Sequence, residues 1–233
     1  MQLLVTKEIQ LFVLDMAGTT VDGTFAVHDS LVLAFQANGF DINRSIAATS
    51  IAVPKPIGIA HILSQHFSVA DTQMTQAIHS CFLSHMNGYY ETHPDVKEME
   101  GSTALFEHLR QCGIGVYLDT GFSRVTADVI LERLEWKNKI DGSICSDEVL
   151  NGRPSPDMVF VAMEKHGIQD PKKVVKVGDT PTDMQQGKAA GCGWIIGVDA
   201  GTFPKEALLA AGADIIVKNP GEIIPLIQEV CTI

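Results

Sequence analysis

Four stretches of the chain set carboxylates, hydroxyls or an arginine directly behind apolar runs or turns: LFVLDMAGTT around Asp15, YLDTGFS around Thr120, NGRPSPDM around Arg153, and VVKVGDTPTD around Asp179 and Asp183. Asp15 follows the apolar run Leu11–Leu14 and precedes the small residues Ala17, Gly18, Thr19 and Thr20. A carboxylate at a strand's end beside a tight glycine turn is placed to act as a nucleophile or a metal ligand, although aspartate also ends strands for conformational reasons alone. Thr120 and Gly121 open a turn into a helix near Ser123, so a hydroxyl and free backbone N–H groups meet in a pocket suited to an anion. Ser123 itself reads as a plain helix N-cap. Arg153 precedes Pro154 and a helix beginning near Pro156, where its guanidinium could meet phosphate oxygens; a lone arginine is otherwise a solvated charge. Asp179 arrives behind Gly178 at the end of an apolar strand, with Asp183 in the first turn of the next helix. Helix starts favour carboxylates anyway, but together with Asp15 these two supply the hard oxygen donors that Mg²⁺ takes.

The elements that must position these residues show as alternating patterns. Strand-length apolar runs cover Ile9–Leu14, Gly115–Leu118, Gly142–Cys145, Lys173–Val177, Trp194–Val198 and Asp214–Val217. Between them lie amphipathic segments such as SRVTADVILERLEW, SPDMVFVAMEKHG and TPTDMQQGKAAG, the last two closing on glycine as helices tend to do. Such alternation predicts an α/β fold, a Rossmann-like parallel sheet wrapped by helices, with ligands at the carboxyl ends of its strands. Residues 24–95 break the pattern and read as consecutive helices: DSLVLAFQANG, KPIGIAHILSQH and DTQMTQAIHSCFLSHMNGYYETH. The expected division is an α/β core domain over residues 1–22 and 96–233 and an α-helical cap domain over 23–95. Such an insertion would sit above the sheet's carboxyl edge as a lid.

Composition narrows the setting. The chain has 233 residues, 45% of them hydrophobic, enough for a large core or for one domain with a smaller one inserted. No stretch approaches the roughly 18 uninterrupted apolar residues of a membrane span, and the opening MQLLVTKEIQLFVLD reads as a first strand, not a signal peptide. A formal charge of −11 without a Lys/Arg run argues against nucleic acid as a partner. Five scattered cysteines without a C-x-x-C pair argue against a disulfide framework or a structural zinc, and for a reducing, cytoplasmic setting.

Taken in order, the four stretches resemble the motifs of the haloacid dehalogenase superfamily over essentially the full chain. The resemblance implies an in-line attack by Asp15 on phosphorus, giving an aspartyl-phosphate that water hydrolyses. It further implies Mg²⁺ held by Asp15, the backbone carbonyl of Ala17 and Asp179, with Asp183 in support. Thr120, Gly121 and Arg153 would hold phosphoryl oxygens, so catalysis is by positioning and charge neutralisation.

One departure is informative. Most phosphatases of this superfamily carry a second aspartate two residues after the nucleophile to protonate the leaving oxygen, and here that residue is Ala17. Acid help of this kind is typically worth about 10²–10⁴ in rate, so a leaving group that needs no such acid fits better. The run D-x-A-G-T-T-V-D, with TGFSR and GRPSPDM, is similar to the phosphonoacetaldehyde hydrolases, which form an imine between a cap lysine and their substrate. Lys55, in a Pro-bounded loop, lies where that lysine belongs; by itself it also reads as an ordinary loop lysine. Around it the pattern departs: Met-Gly-x-x-Lys is replaced by Ile51-Ala52-Val53-Pro54-Lys55, a following histidine by Gly58, and an early cap cysteine by Thr24. A shifted alignment would nominate His61 instead.

Three readings follow. The first is Mg²⁺-dependent cleavage of a small phosphonate through Asp15 and Lys55. The second is hydrolysis of a small phosphorylated metabolite without imine chemistry. The third, a non-catalytic phospho-acceptor module, is disfavoured by the helical insertion and by Arg153. The expected partner is a small phosphonate or phosphate, not nucleic acid or a membrane, with Tyr89 and Tyr90 offered to a homodimer contact through the cap. Trp136 and Trp194 read as core or interface, and His28, His66, His85 and His93 have no ligand-like spacing.

Overall fold

The computed structural model describes residues 9–22, 24–50, 53–201 and 203–227, and it divides into two compact units. One comprises the chain up to Asp22 and from Lys97 onward; the other is Gly23–Val96.

In chain order the elements are β1 (Leu11–Asp15), β2 (Val21–Asp22), α1 (Thr24–Ala37), α2 (Arg44–Ala48), α3 (Lys55–Phe67), α4 (Thr72–Thr92) and β3 (Lys97–Glu98). They continue with α5 (Ser102–Gln111), β4 (Gly115–Thr120), α6 (Arg124–Arg133), β5 (Gly142–Cys145), α7 (Asp157–His166) and β6 (Val174–Gly178). The last are α8 (Pro181–Ala190), β7 (Trp194–Val198), α9 (Lys205–Ala211), β8 (Ile215–Val217) and α10 (Ile224–Ile227). Six strands form one parallel sheet in the order β5-β4-β1-β6-β7-β8, and β2 and β3 pair separately as an antiparallel ribbon. β1, β4 and β6 are buried along their whole length, the signature of a sheet covered on both faces. The chain moves outward from β1 through β4 to β5, then returns to the other side of β1 at β6. The reversal between β1 and β6 is the place where such sheets open a ligand crevice.

Strand ends fall later than the apolar runs alone suggest. β1 runs on to Asp15 and β4 to Thr120, so these residues close their strands, while β6 stops at Gly178 and leaves Asp179 as the first residue beyond. Two glycines make room for side chains of the site. A Cβ at Gly178 would lie 2.3 Å from Asp183 Cβ, and one at Gly187 would lie 2.9 Å from Lys176 Cβ. The helix starts are chemically capped: the Ser123 hydroxyl accepts from Thr126 N, and the Thr180 and Asp183 side chains cap each other's backbone N–H. α7 and α8 both end on glycines in the left-handed region, Gly167 and Gly191.

The second unit is helical. Ile78, Phe82, Met86 and Tyr90 recur every four residues along α4 and are buried, as are Leu31, Ala34 and Phe35 of α1 and Ile59, Ile62 and Leu63 of α3. α5 and α2 were not legible in the sequence patterning; α5 begins behind Gly101, which carries no side-chain cap.

Three expectations need correction or refinement. Tyr90 is fully buried, so of the tyrosine pair only Tyr89 retains exposure for a contact with another molecule. Cys112 is disulfide-bonded, whereas Cys81, Cys145 and Cys192 are free, so the scattered cysteines include one cross-linked residue but build no disulfide framework among the described residues. Trp136 is core: its indole N–H donates to Thr103 Oγ1 and its ring meets Phe106 edge-on. Among the described residues, no helix is long and apolar enough to cross a membrane.

Candidate active site

Asp15, Arg153, Asp179 and Asp183 are brought to one edge of the sheet. Arg153, ahead of α7, donates from Nη2 to Asp15 Oδ1 at 2.6 Å and from Nη1 to Asp183 Oδ1 at 2.5 Å. Asp183 is saturated, because its Oδ2 also takes the hydroxyl (2.5 Å) and the backbone N–H (3.2 Å) of Thr180. Asp179 accepts from the Thr19 hydroxyl at 3.0 Å through Oδ1, while its Oδ2 is buried without a partner. That oxygen lies against Gly18, where φ is +87° and a Cβ would approach it to 2.4 Å, so the glycine serves both the turn and the close approach. Thr120 Oγ1 accepts from Phe122 N at 3.1 Å, which leaves the hydroxyl proton to donate elsewhere. Gly121 beside it is exposed, and Ala17 is half-buried two residues after Asp15.

Two residues of this cluster were missed in the sequence. Lys176, in the middle of β6, is fully buried, and its ammonium lies 2.5 Å from Asp119 Oδ1 and 3.2 Å from Asp183 Oδ1. Asp119 is registered beside Asp15 on β4, and Lys176 beside Val13 on the other flank of β1, so their contact spans the central strand just beneath Asp15. The available signal was a lysine inside the apolar run VVKVG: a charge in a central strand of a parallel sheet must find a buried counter-ion.

The electrostatics are those of a site with too much negative charge. Asp15, Asp119, Asp179 and Asp183 are buried, and among the described residues Arg153 and Lys176 alone balance them. Burial, with the Asp183 charge, raises the Asp15 carboxyl to about 6 against the pull of Arg153. Burial and the charges of Asp15 and Asp183 push Asp179 well above the usual carboxylate range. Burial also opposes ionisation of Asp183, but Arg153 and Lys176 outweigh it and hold that carboxyl below its ordinary value. One carboxylate oxygen from each of Asp15, Asp119 and Asp183 lies within 4.8 Å of the others. Asp119 and Asp183 pair with Lys176, and Asp183 and Asp15 Oδ1 with Arg153, so the oxygens best fitted to a hard divalent ion are Asp15 Oδ2 and the unpartnered Asp179 Oδ2.

This imbalance has a measurable consequence. An acid whose pKa is raised by folding adds stability in full below its unfolded pKa, about 4, and loses it as pH rises through about 6, the value for Asp15. In EDTA the melting temperature should therefore fall between pH 5 and 7, and Mg²⁺ should restore it most at neutral pH. A neutral-pH melting temperature indifferent to Mg²⁺ would contradict the assignment.

Lys55 belongs to the helical unit. It is the first residue of α3, half-buried, and its ammonium donates to the Ser50 carbonyl at 3.0 Å. Burial pushes it down to about 8, and a helix start further disfavours a cation. His28 on α1 and His79 on α4 are close enough to feel its charge, which adds to burial in lowering both imidazoles. Ile51 and Ala52 of the departing pattern lie outside the described residues.

A strand-end aspartate, a threonine, an arginine and a paired-aspartate helix start converge here as a single motif set, and the profile of the haloacid dehalogenase-like hydrolases matches residues 9–191. The chain belongs to this family and is a hydrolase. Among relatives of this hydrolase, a phosphonoacetaldehyde hydrolase of Bacteroides fragilis is 28% identical, with 95% of this chain and 97% of the relative covered. In fold, the hydrolase is similar to a phosphonoacetaldehyde hydrolase-like protein from Oleispira antarctica, with a TM-score of 0.83, 19% identity, and 97% of this chain and 94% of that one covered. It is similar also to CbbY from Rhodobacter sphaeroides, whose structure contains phosphate, with a TM-score of 0.81, 18% identity, and 92% and 96% covered.

Proposed function

We propose that this hydrolase cleaves the C–P bond of a small carbonyl-bearing phosphonate such as phosphonoacetaldehyde, with Asp15 as nucleophile and Lys55 as the imine-forming amine. The observation that carries the reading is the Lys55 amine, lowered by burial to about 8 and so partly neutral near physiological pH. Ala17 supports it, since an oxygen leaving group would lack its acid at that position. The name of the Bacteroides fragilis relative points the same way.

In this scheme the Lys55 amine condenses with the aldehyde, releasing water and leaving a protonated imine. Asp15 attacks phosphorus, and the electron pair of the breaking C–P bond passes into the iminium to give an enamine. The enamine takes a proton at carbon and is hydrolysed to the free aldehyde, while water cleaves the aspartyl-phosphate. Thr120, Gly121 and Arg153 hold phosphoryl oxygens. Mg²⁺, held by Asp15, the Ala17 carbonyl and Asp179 with Asp183 in support, would neutralise the phosphoryl charge.

The test is borohydride trapping with phosphonoacetaldehyde, followed by peptide mass spectrometry and a phosphate-release assay. A reduced adduct on Lys55 is expected, forming faster as pH rises towards about 8, the value for its amine. Phosphate release should be lost in Lys55→Ala. A second reading, hydrolysis of a phosphate ester, is favoured by the Ser50 carbonyl already occupying the Lys55 ammonium. It would prevail if no adduct forms and Lys55→Ala turns over phosphate esters normally.

A further inference from the structure

Arg153 poses a problem for any phosphoryl transfer at this site. Its fork is aimed at carboxylates: Nη2 donates to Asp15 and Nη1 to Asp183, which leaves Nε and the second hydrogen of each terminal nitrogen. Turning that fork onto phosphoryl oxygens as Asp15 attacks draws it from the nucleophile and weakens its hold on Asp183. A buried carboxylate deserted by its only cation is strongly disfavoured. Asp183 is not deserted, because Lys176 stands 3.2 Å from the same Oδ1 that Arg153 holds.

We infer that Lys176 is a reserve counter-ion for Asp183, which frees Arg153 to pass from the carboxylates to an incoming phosphoryl group, and that Asp119 anchors Lys176 for this purpose. The inference rests on the reading of Arg153 as a phosphoryl ligand. Four observations carry it. The Lys176 side chain is fully buried, and it is roofed by α8 at Gly187, the residue whose missing Cβ leaves room for the lysine stem. Its tightest contact is Asp119 Oδ1 at 2.5 Å. Asp119 is equally buried, and its second oxygen has no hydrogen-bond partner, so its charge is engaged through Lys176. The ions therefore run in alternating sign, Asp119–Lys176–Asp183–Arg153–Asp15, from the core beneath β1 up to the nucleophile. Only the Arg153 end of that chain has any solvent exposure to speak of, at 13% of its side chain, so that end is the one free to exchange partners. Lys176 is on this account a positioning residue. It touches neither substrate nor nucleophile and acts through Asp183 and Arg153.

A merely structural ion pair makes a different prediction. Buried pairs can be replaced by apolar residues of similar volume with little loss of stability, whereas removing one partner strands the other. Lys176→Met should therefore be less stable than the wild type, and Lys176→Met/Asp119→Leu should regain most of the melting temperature. The probe is orthovanadate in the presence of Mg²⁺, titrated calorimetrically into the full-length wild type and both variants. With Lys176 absent, Arg153 stays committed to Asp183, so both variants should bind orthovanadate about tenfold more weakly or worse, as expected for a charge-assisted contact forgone. Should the single variant fail to fold, the double variant decides. A double variant that melts and binds orthovanadate like the wild type overturns the role of Lys176 and leaves the phosphoryl site standing. A wild type that itself binds no orthovanadate removes the Arg153 reading, and this inference with it.

Discussion

Asp15→Asn should abolish phosphate release, by about 10⁴-fold or more as for loss of other enzymic nucleophiles, while the protein remains folded and gains stability. The asparagine keeps the shape of the residue and an oxygen for Arg153 Nη2, but it cannot form an aspartyl-phosphate. The gain follows from the pKa of about 6, which means that the fold opposes ionisation of this carboxyl at neutral pH. Removing the charge should add on the order of 2 kcal/mol without Mg²⁺ at pH 7. Turnover and thermal unfolding in EDTA check both halves. Residual turnover near the wild-type level would remove Asp15 from the chemistry. A loss of stability would mean that its charge is needed to hold Arg153.

Arg153→Met should act in the opposite direction on stability and the same direction on activity. The guanidinium is the link between Asp15 and Asp183, at 2.6 and 2.5 Å, and only 13% of its side chain is exposed. Without it Asp15 has no direct ion pair among the described residues, and Asp183 keeps Lys176 alone. Breaking a buried pair by removing one partner costs about 3–5 kcal/mol, so a large fall in melting temperature is expected at neutral pH. The fall should shrink in acid, where Asp15 takes up a proton. Phosphate release should drop about 10²–10³-fold, the usual result of deleting a preorganised donor to a transferring group. A variant with wild-type stability and an unchanged KM would show that Arg153 is neither the internal counter-ion nor a substrate ligand.

These predictions share a cause. Among the described residues the site sets four buried carboxylates against two cations, an excess of negative charge that a divalent ion would offset. The acidic chain as a whole does not bear on this, because the relevant field is set within a few ångströms by groups removed from solvent.

Much of the architecture and the motif set was legible without coordinates. Apolar runs of strand length ending shortly before Asp15, Thr120 and Gly178–Asp179, separated by helix-length amphipathic segments closing on Gly167 and Gly191, carry local signals that survive in any context. Ser123 as an N-cap and Asp183 in a first helical turn are equally local, since each depends on residues at most three positions away. What only the tertiary structure decided lies between residues far apart in the chain. Asp119 and Lys176 are 57 positions apart and meet across β1, because β4 and β6 flank that strand with their side chains in register. Arg153 meets Asp15 at a separation of 138 residues, and there it turns out to be an internal counter-ion as well as a candidate phosphate ligand. Periodicity determines which face of a strand is buried, whereas strand order determines which buried charges become neighbours, and strand order is a property of the folded sheet.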